Sequence, residues 1–284
     1  MMIPNAETPD AAPAAFPGIL GAGLLMLIGW TGAVLTAIAT ASYLGPEAVT
    51  AAASIVGISL AVWVGCRHAR APLTVVLSLR PFPMRWAWPL ALMAFSGSFL
   101  GAELANWVHR IIPLPEAYQK LFMQLLQADT WQGFVGRAAL LSGVAPVMEE
   151  LMFRGVIQHG LVANYGPRKG IIVTAVCFGV FHLIPWQAVG VTLVGLLLGF
   201  VRHRSGSIFA SMWVHAVWNL IPLVAFTAAR AGGVEMLQEM DLTSPQHLPA
   251  GVLIPSAVVF TLSMTAFWRA TERRESIRGR EGQE

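Results

Sequence analysis

Apolar residues in this chain fall into long runs separated by short polar or basic stretches, and within the runs there is no strand-like alternation. The runs are Ile19 to Ala41, Val49 to Cys66, Trp86 to Trp107, Gln132 to Ala163, Gly170 to Ile184, Ala188 to Val201, Ser207 to Ala228 and Val252 to Trp268. Most approach the roughly 20 residues a helix needs to cross bilayer hydrocarbon. The fifth and sixth are shorter, which bundled helices beside a polar cavity tolerate. The pattern predicts an all-α fold, a polytopic integral membrane helical bundle of about eight transmembrane helices.

Residues 1–18, rich in Ala and Pro, read as a disordered lead-in. The first apolar run has no basic segment before it and is too long for a signal peptide, so it is expected to remain as a transmembrane helix. Residues 19–130 hold the first three spans and an outer segment, Ile111 to Asp129. There Leu121, Phe122, Leu125 and Leu126 recur at helical spacing, which suits either the membrane interface or an ordinary packed loop helix. Residues 131–228 carry spans four to seven, 229–268 an acidic outer loop and the last span, and 269–284 a basic tail suited to anionic headgroups.

Lys and Arg orient the bundle. With an even number of spans, thirteen fall on one side, from Arg67 and Arg70 to Arg278 and Arg280. Only Arg110, Lys120 and Arg230 fall on the other, and Arg137 and Arg154 lie inside a span. Both termini are therefore expected in the cytoplasm, with a bacterial inner membrane as the location. The composition agrees: 56% of the 284 residues are hydrophobic and 12% charged, against about a quarter charged in soluble domains. Mean hydropathy is +0.63. A pI near 9.2 would fit a nucleic-acid binder, but the charges collect at the ends of apolar runs, so no nucleic acid is expected as a partner. Cys66 and Cys177 lie in apolar contexts and form no disulfide framework or CxxC motif.

Ionisable groups at membrane depth are costly and mark functional candidates. The fourth span contains Glu149, Glu150 and Arg154, the fifth His182, and the seventh His215 and Asn219. Glu150 and Arg154 are four residues apart and can pair, as His215 and Asn219 can share a face. Glu149 points about 100° away from Glu150 around a regular helix. Counted from the inner helix ends, Glu149, His182 and Asn219 lie at roughly 21 Å and His215 at roughly 15 Å. Each group alone has a packing explanation, whether a buried ion pair, a satisfied histidine or an interhelical amide. Their convergence at one depth argues against four independent accidents.

A carboxylate at this depth can take a proton from water, aided by an imidazole. A second imidazole and an amide can donate to a developing oxyanion. Together these groups can hydrolyse an amide without a covalent intermediate. The same four residues, Glu149, His182, His215 and Asn219, could instead hold a divalent metal such as zinc. The HExxH spacing of many zinc sites is absent, so no cofactor is favoured. Neither a GxSG serine site nor a GxGD aspartyl motif occurs.

In order and spacing, Glu149-Glu150-x-x-x-Arg154, Phe178-x-x-x-His182 and His215-x-x-x-Asn219 resemble the three-motif signature of the CPBP family. That family comprises CAAX-type prenyl endopeptidases and bacterial Abi relatives linked to bacteriocin processing and self-immunity. The resemblance covers about Leu140 to Leu223. It implies an eight-helix intramembrane endopeptidase of glutamic type, with Glu149 as general base aided by His182, and His215 and Asn219 stabilising the oxyanion. Glu150 and Arg154 would hold the first motif in place, and Phe178 would line the site. Family members have also been discussed as metalloproteases. The implied partners are the lipid bilayer and a membrane protein or peptide substrate. A proton-coupled transporter using the same polar layer, or a non-proteolytic immunity protein that works by binding, are the competing readings.

Overall fold

The computed structural model describes residues 15–232 and 247–281, without side chains for 273–281. Among the described residues every regular element is helical. Helix α1 (Ile19–Thr40) and α2 (Pro46–His68) form an antiparallel hairpin. Their backbones approach so closely that a Cβ on Gly57 would strike the carbonyl of Gly29 and the amide of Ala33. A connector with one helical turn, Leu73–Val76, leads to α3 (Ala87–Ile111), and α4 (Glu116–Leu126) follows. Helix α5 occupies 131–165 and α6 167–181, separated at Gly166, whose φ of 78° breaks the helix ahead of Pro167. Helix α7 (Pro185–Ser205) ends at Gly206 in the left-handed conformation, φ 65°. Helices α8 (Ile208–Ala231) and α9 (Ala250–Glu281) complete the bundle.

Among the described residues five helices are long and apolar enough to cross a membrane: α1, α2, α7, α8 and Ala250–Glu272 of α9. The sixth apolar run, short in the sequence, is a helix of 21 residues because Pro185 opens it and Arg202, His203 and Arg204 continue it. The fourth run is helical but not uniform. Between Trp131–Ala138 and Ala145–Glu150 lies a π-helical turn, Ala139–Val144, and a second, Leu151–Ile157, follows. Pro146 accounts for the first. It has no N–H to continue the i→i−4 ladder, so the helix widens just ahead of it.

Two apolar cores flank the α5 to α8 segment. On one side Ala22, Leu25, Met26, Ile58 and Ala61 of the hairpin pack on Met152, Phe153, Val156 and Phe178. On the other, Trp86, Leu90 and Met93 meet Leu198, Val201, Val214 and Phe267. The ends of the bundle are also distinct. Glu47–Arg137 at 3.3 Å and Asp129–Arg230 at 3.1 Å mark one end. At the other, Phe16 lies 5.4 Å from the His68 ring, and the Ala15 amide donates to Asn164 Oδ1 at 3.0 Å. Of the cations assigned to the inner side by sequence, Arg67 and Arg70 flank His68, and Arg168 and Lys169 follow Asn164, at this second end.

Most of the predicted disordered lead-in, through residue 14, lies outside the described residues. Its last residues are an exception, because Pro17 packs directly on Gly160 and Asn164 bonds the Ala15 carbonyl. In α4, Leu126 is buried against Leu223 and Phe226, whereas Leu121, Phe122 and Leu125 are exposed. Tyr118 near its start meets the Trp186 ring at 4.9 Å and Met123 packs beside Leu126, so one face is packed and the other apolar residues point outward. The outer acidic residues Glu235, Glu239 and Asp241 fall outside the described residues.

Candidate active site

The site forms where α5, α6, α7 and α8 meet between the two cores. Glu150 is fully buried, and its Oε1 lies 3.0 Å from Arg154 Nη1 and 3.0 Å from His215 Nδ1. Arg154, also fully buried, donates from Nη2 to the Gly195 carbonyl at 3.1 Å. Its guanidinium carbon stands 4.3 Å above the Phe178 ring, a cation–π contact in a dry setting. Each charge buried here has an opposite charge and a further polar or π partner, the condition under which a buried pair persists.

Glu149 differs from its neighbour. Its side chain is 17% exposed, and its Oε2 lies 3.7 Å from His215 Nε2, too long for a direct hydrogen bond. A regular helix would aim the two carboxylates about 100° apart, yet both reach the same imidazole, one at each ring nitrogen. A carboxylate only accepts, so His215 Nδ1 carries a proton and donates it to Glu150. That leaves Nε2 facing Glu149 across a gap that a water can bridge.

Asn219, one turn beyond His215 on α8, donates its amide to the Leu141 carbonyl at 2.9 Å. Leu141 belongs to the first π-helical turn. The widened turn therefore supplies the acceptor that fixes the amide. His182 stands at the end of α6, with Nδ1 2.8 Å from the Phe178 carbonyl. A carbonyl accepts, so the proton lies on Nδ1 and Nε2 is left as the basic nitrogen.

Phe178 is the common neighbour. The rings of His182 and His215 both meet it edge to face, at 4.9 and 5.8 Å, and Arg154 covers it. Glu149, Glu150, Arg154 and His215 are thus in direct contact. Asn219 is adjacent through its helix, and His182 joins the group through Phe178.

Sequence reasoning missed three features: the acceptor carbonyls of Leu141 and Gly195, the π-helical turns, and Trp30. The indole N–H of Trp30 donates to the Phe181 carbonyl at 3.0 Å, and its ring stacks on Phe181 at 5.3 Å and 7°. Phe181 directly precedes His182, so α1 braces the end of α6. The signal was available: Trp30 lies mid-span, away from the interfacial belts where membrane tryptophans usually gather. Trp30→Phe keeps a ring but strands the Phe181 carbonyl, and is expected to cost about 1 kcal/mol of stability. Trp30→Ala is expected to cost about 3–5 kcal/mol by opening a cavity. Thermal melting of the purified variants measures both.

Neither the curated proteins nor the solved structures include a match to this chain. A family model described as "Rce1-like: Type II CAAX prenyl endopeptidase Rce1-like" matches residues 131–221. That segment runs from the start of α5 into α8 and contains all seven residues named in the three motifs, while α1 to α4 and α9 lie outside it. Over residues 131–221 the chain is similar to the Rce1-like, CAAX protease-like family of membrane endopeptidases.

Proposed function

We propose that the chain is an intramembrane endopeptidase of glutamic type. One observation carries this reading. Of two adjacent carboxylates facing one imidazole, Glu150 is consumed by Arg154 and His215, whereas Glu149 is partly exposed and uncommitted. In this reading Glu149 accepts a proton from a water whose oxygen attacks the scissile carbonyl carbon, and His182 Nε2 orients that water. Negative charge develops on the carbonyl oxygen, which accepts from His215 Nε2–H and from the Asn219 N–H not used by Leu141. In this role His215 donates from both ring nitrogens, Nδ1 to Glu150 and Nε2 to the oxyanion. When the C–N bond breaks, Glu149 returns its proton to the leaving amine, giving a free amine and a carboxylic acid that keeps the other water proton. Glu150, Arg154 and Phe178 hold the site without exchanging protons with the substrate.

No step is routed through a metal. Among the described residues no three His, Cys, Asp or Glu side chains form a metal-holding group. Glu150 Oε1 is occupied by Arg154 and His215, and the Asn219 amide is turned to a carbonyl. The substrate class proposed is a membrane-embedded peptide or C-terminal anchor, because the polar layer lies among helices apolar enough to span a bilayer.

The test is cleavage of a membrane-tethered peptide library by the purified protein in liposomes, read by mass spectrometry. Discrete products are expected from the wild type, none from Glu149→Ala or His182→Ala, and unchanged turnover after exhaustive chelation. Activity lost on chelation and restored by zinc would overturn the metal-free mechanism. Proton flux without cleavage would favour a transporter.

A further inference from the structure

Among the described residues two arginines are deeply buried, and only one has a described counter-charge. Arg154 pairs with Glu150, as described. Arg202, in the last turn of α7, is 8% exposed, and its Nε has no hydrogen-bond partner. It forms no salt bridge with a described residue. The described carboxylates are all engaged elsewhere: Glu47 with Arg137, Glu103 with His247, Glu116 with Lys120, Asp129 with Arg230, Glu149 and Glu150 in the site, and Glu272 with Trp268.

The surroundings make matters worse for the cation. His159, half-buried on α5, lies within electrostatic reach of Arg202 and repels it when charged. One turn earlier on the same face of α7, the Gly199 carbonyl is taken by Gln158 Nε2 at 2.9 Å. Two turns earlier the Gly195 carbonyl is taken by Arg154. The Arg202 carbonyl is held by the Gly206 amide, and the Ser205 hydroxyl is spent within the α7–α8 turn. Among the described residues nothing offers the guanidinium a negative partner.

An uncompensated buried charge costs several kcal/mol. It persists where a ligand neutralises it. Arg202 is at the end of the bundle that carries the basic clusters, where a helix leaving the hydrocarbon meets headgroups. A planar guanidinium matches a phosphate with two parallel hydrogen bonds, and basic recesses between helices near this surface are suited to phospholipid headgroups. We propose that Arg202 is a receptor for a phosphate group, filled by the headgroup of an anionic membrane lipid. The placement is independent of the catalytic reading, because Arg202 touches none of the residues assigned to hydrolysis.

The test uses the full chain, in neutral detergent and in nanodiscs of phosphatidylcholine with or without phosphatidylglycerol. Lipid retained on the protein is counted by native mass spectrometry, and thermal stability is followed in parallel. Wild type is expected to keep one phosphatidylglycerol and to melt higher in its presence. Arg202→Met should lose that lipid and that gain, and in lipid-free detergent should melt no lower than wild type, since it removes a charge that nothing there balances. Arg202→Lys should retain the lipid about tenfold less well, lacking the planar fork. Arg168→Gln, an exposed cation at the same end, should behave as wild type. Inorganic phosphate titrated in neutral detergent distinguishes the source. Protection equal to that of the lipid would keep the phosphate site and assign it a soluble ligand. Lipid retention by Arg202→Met equal to that of wild type would overturn the proposal, as would destabilisation of that variant in lipid-free detergent.

Discussion

Glu149→Gln is expected to lower peptide-bond cleavage by about 10²–10⁴-fold, the usual contribution of a positioned general base, and to leave the fold intact. The amide is nearly isosteric with the carboxylate but cannot take a proton from water. Structurally little is lost, because the Glu149 side chain is partly exposed and its one close polar contact, to His215 Nε2, is 3.7 Å long. Stability should remain within about 0.5 kcal/mol of wild type, as for substitutions away from a buried network. Cleavage assays and melting on the same preparation separate the two readouts. Wild-type turnover by the variant would remove Glu149 from the mechanism.

The opposite result is expected one residue later. Glu150→Gln leaves Arg154 as a fully buried cation beside an amide, and Arg154→Ala leaves Glu150 as an unpaired buried anion. Removing one partner of such a pair costs about 3–5 kcal/mol. In Arg154→Ala the Gly195 carbonyl and the Phe178 ring face also lose their partner, so this variant should be the worse of the two. The double variant Glu150→Gln/Arg154→Met removes both charges and should regain part of the loss, which denaturant unfolding can measure. If the double variant were as unstable as the worse single one, unpaired charge would not be the cause. Equal instability of Glu149→Gln and Glu150→Gln would overturn the division of labour between the two carboxylates.

Much of this arrangement was legible in the sequence because membrane depth makes polar residues conspicuous. The apolar runs located the helices, and the i,i+4 spacing of Glu150 and Arg154 foretold their contact. The relation of the two carboxylates was not legible. Regular helical geometry turns Glu149 away from Glu150, and nothing in an apolar run announces a π-helical turn except Pro146, which has no N–H to give the preceding turn. Backbone acceptors were equally hidden. The carbonyls of Leu141, Gly195 and Phe181 receive Asn219, Arg154 and Trp30, and a carbonyl leaves no mark in the amino-acid code. Arg202 was counted in the sequence as one more inner-side cation, and only its burial sets it apart.

The two π-helical turns on either side of Ala145–Glu150 have a consequence for how this chain can vary. A π turn holds an additional residue relative to the α-helix around it, and each residue is worth about 100° of rotation about the axis. Removing one residue from Ala139–Val144 would let the turn close to regular α-helix and carry the Leu141 carbonyl off the Asn219 amide. Exchanging one apolar side chain for another leaves the bearing unchanged. The tolerance of this stretch is therefore lopsided: its letters are negotiable and its length is not.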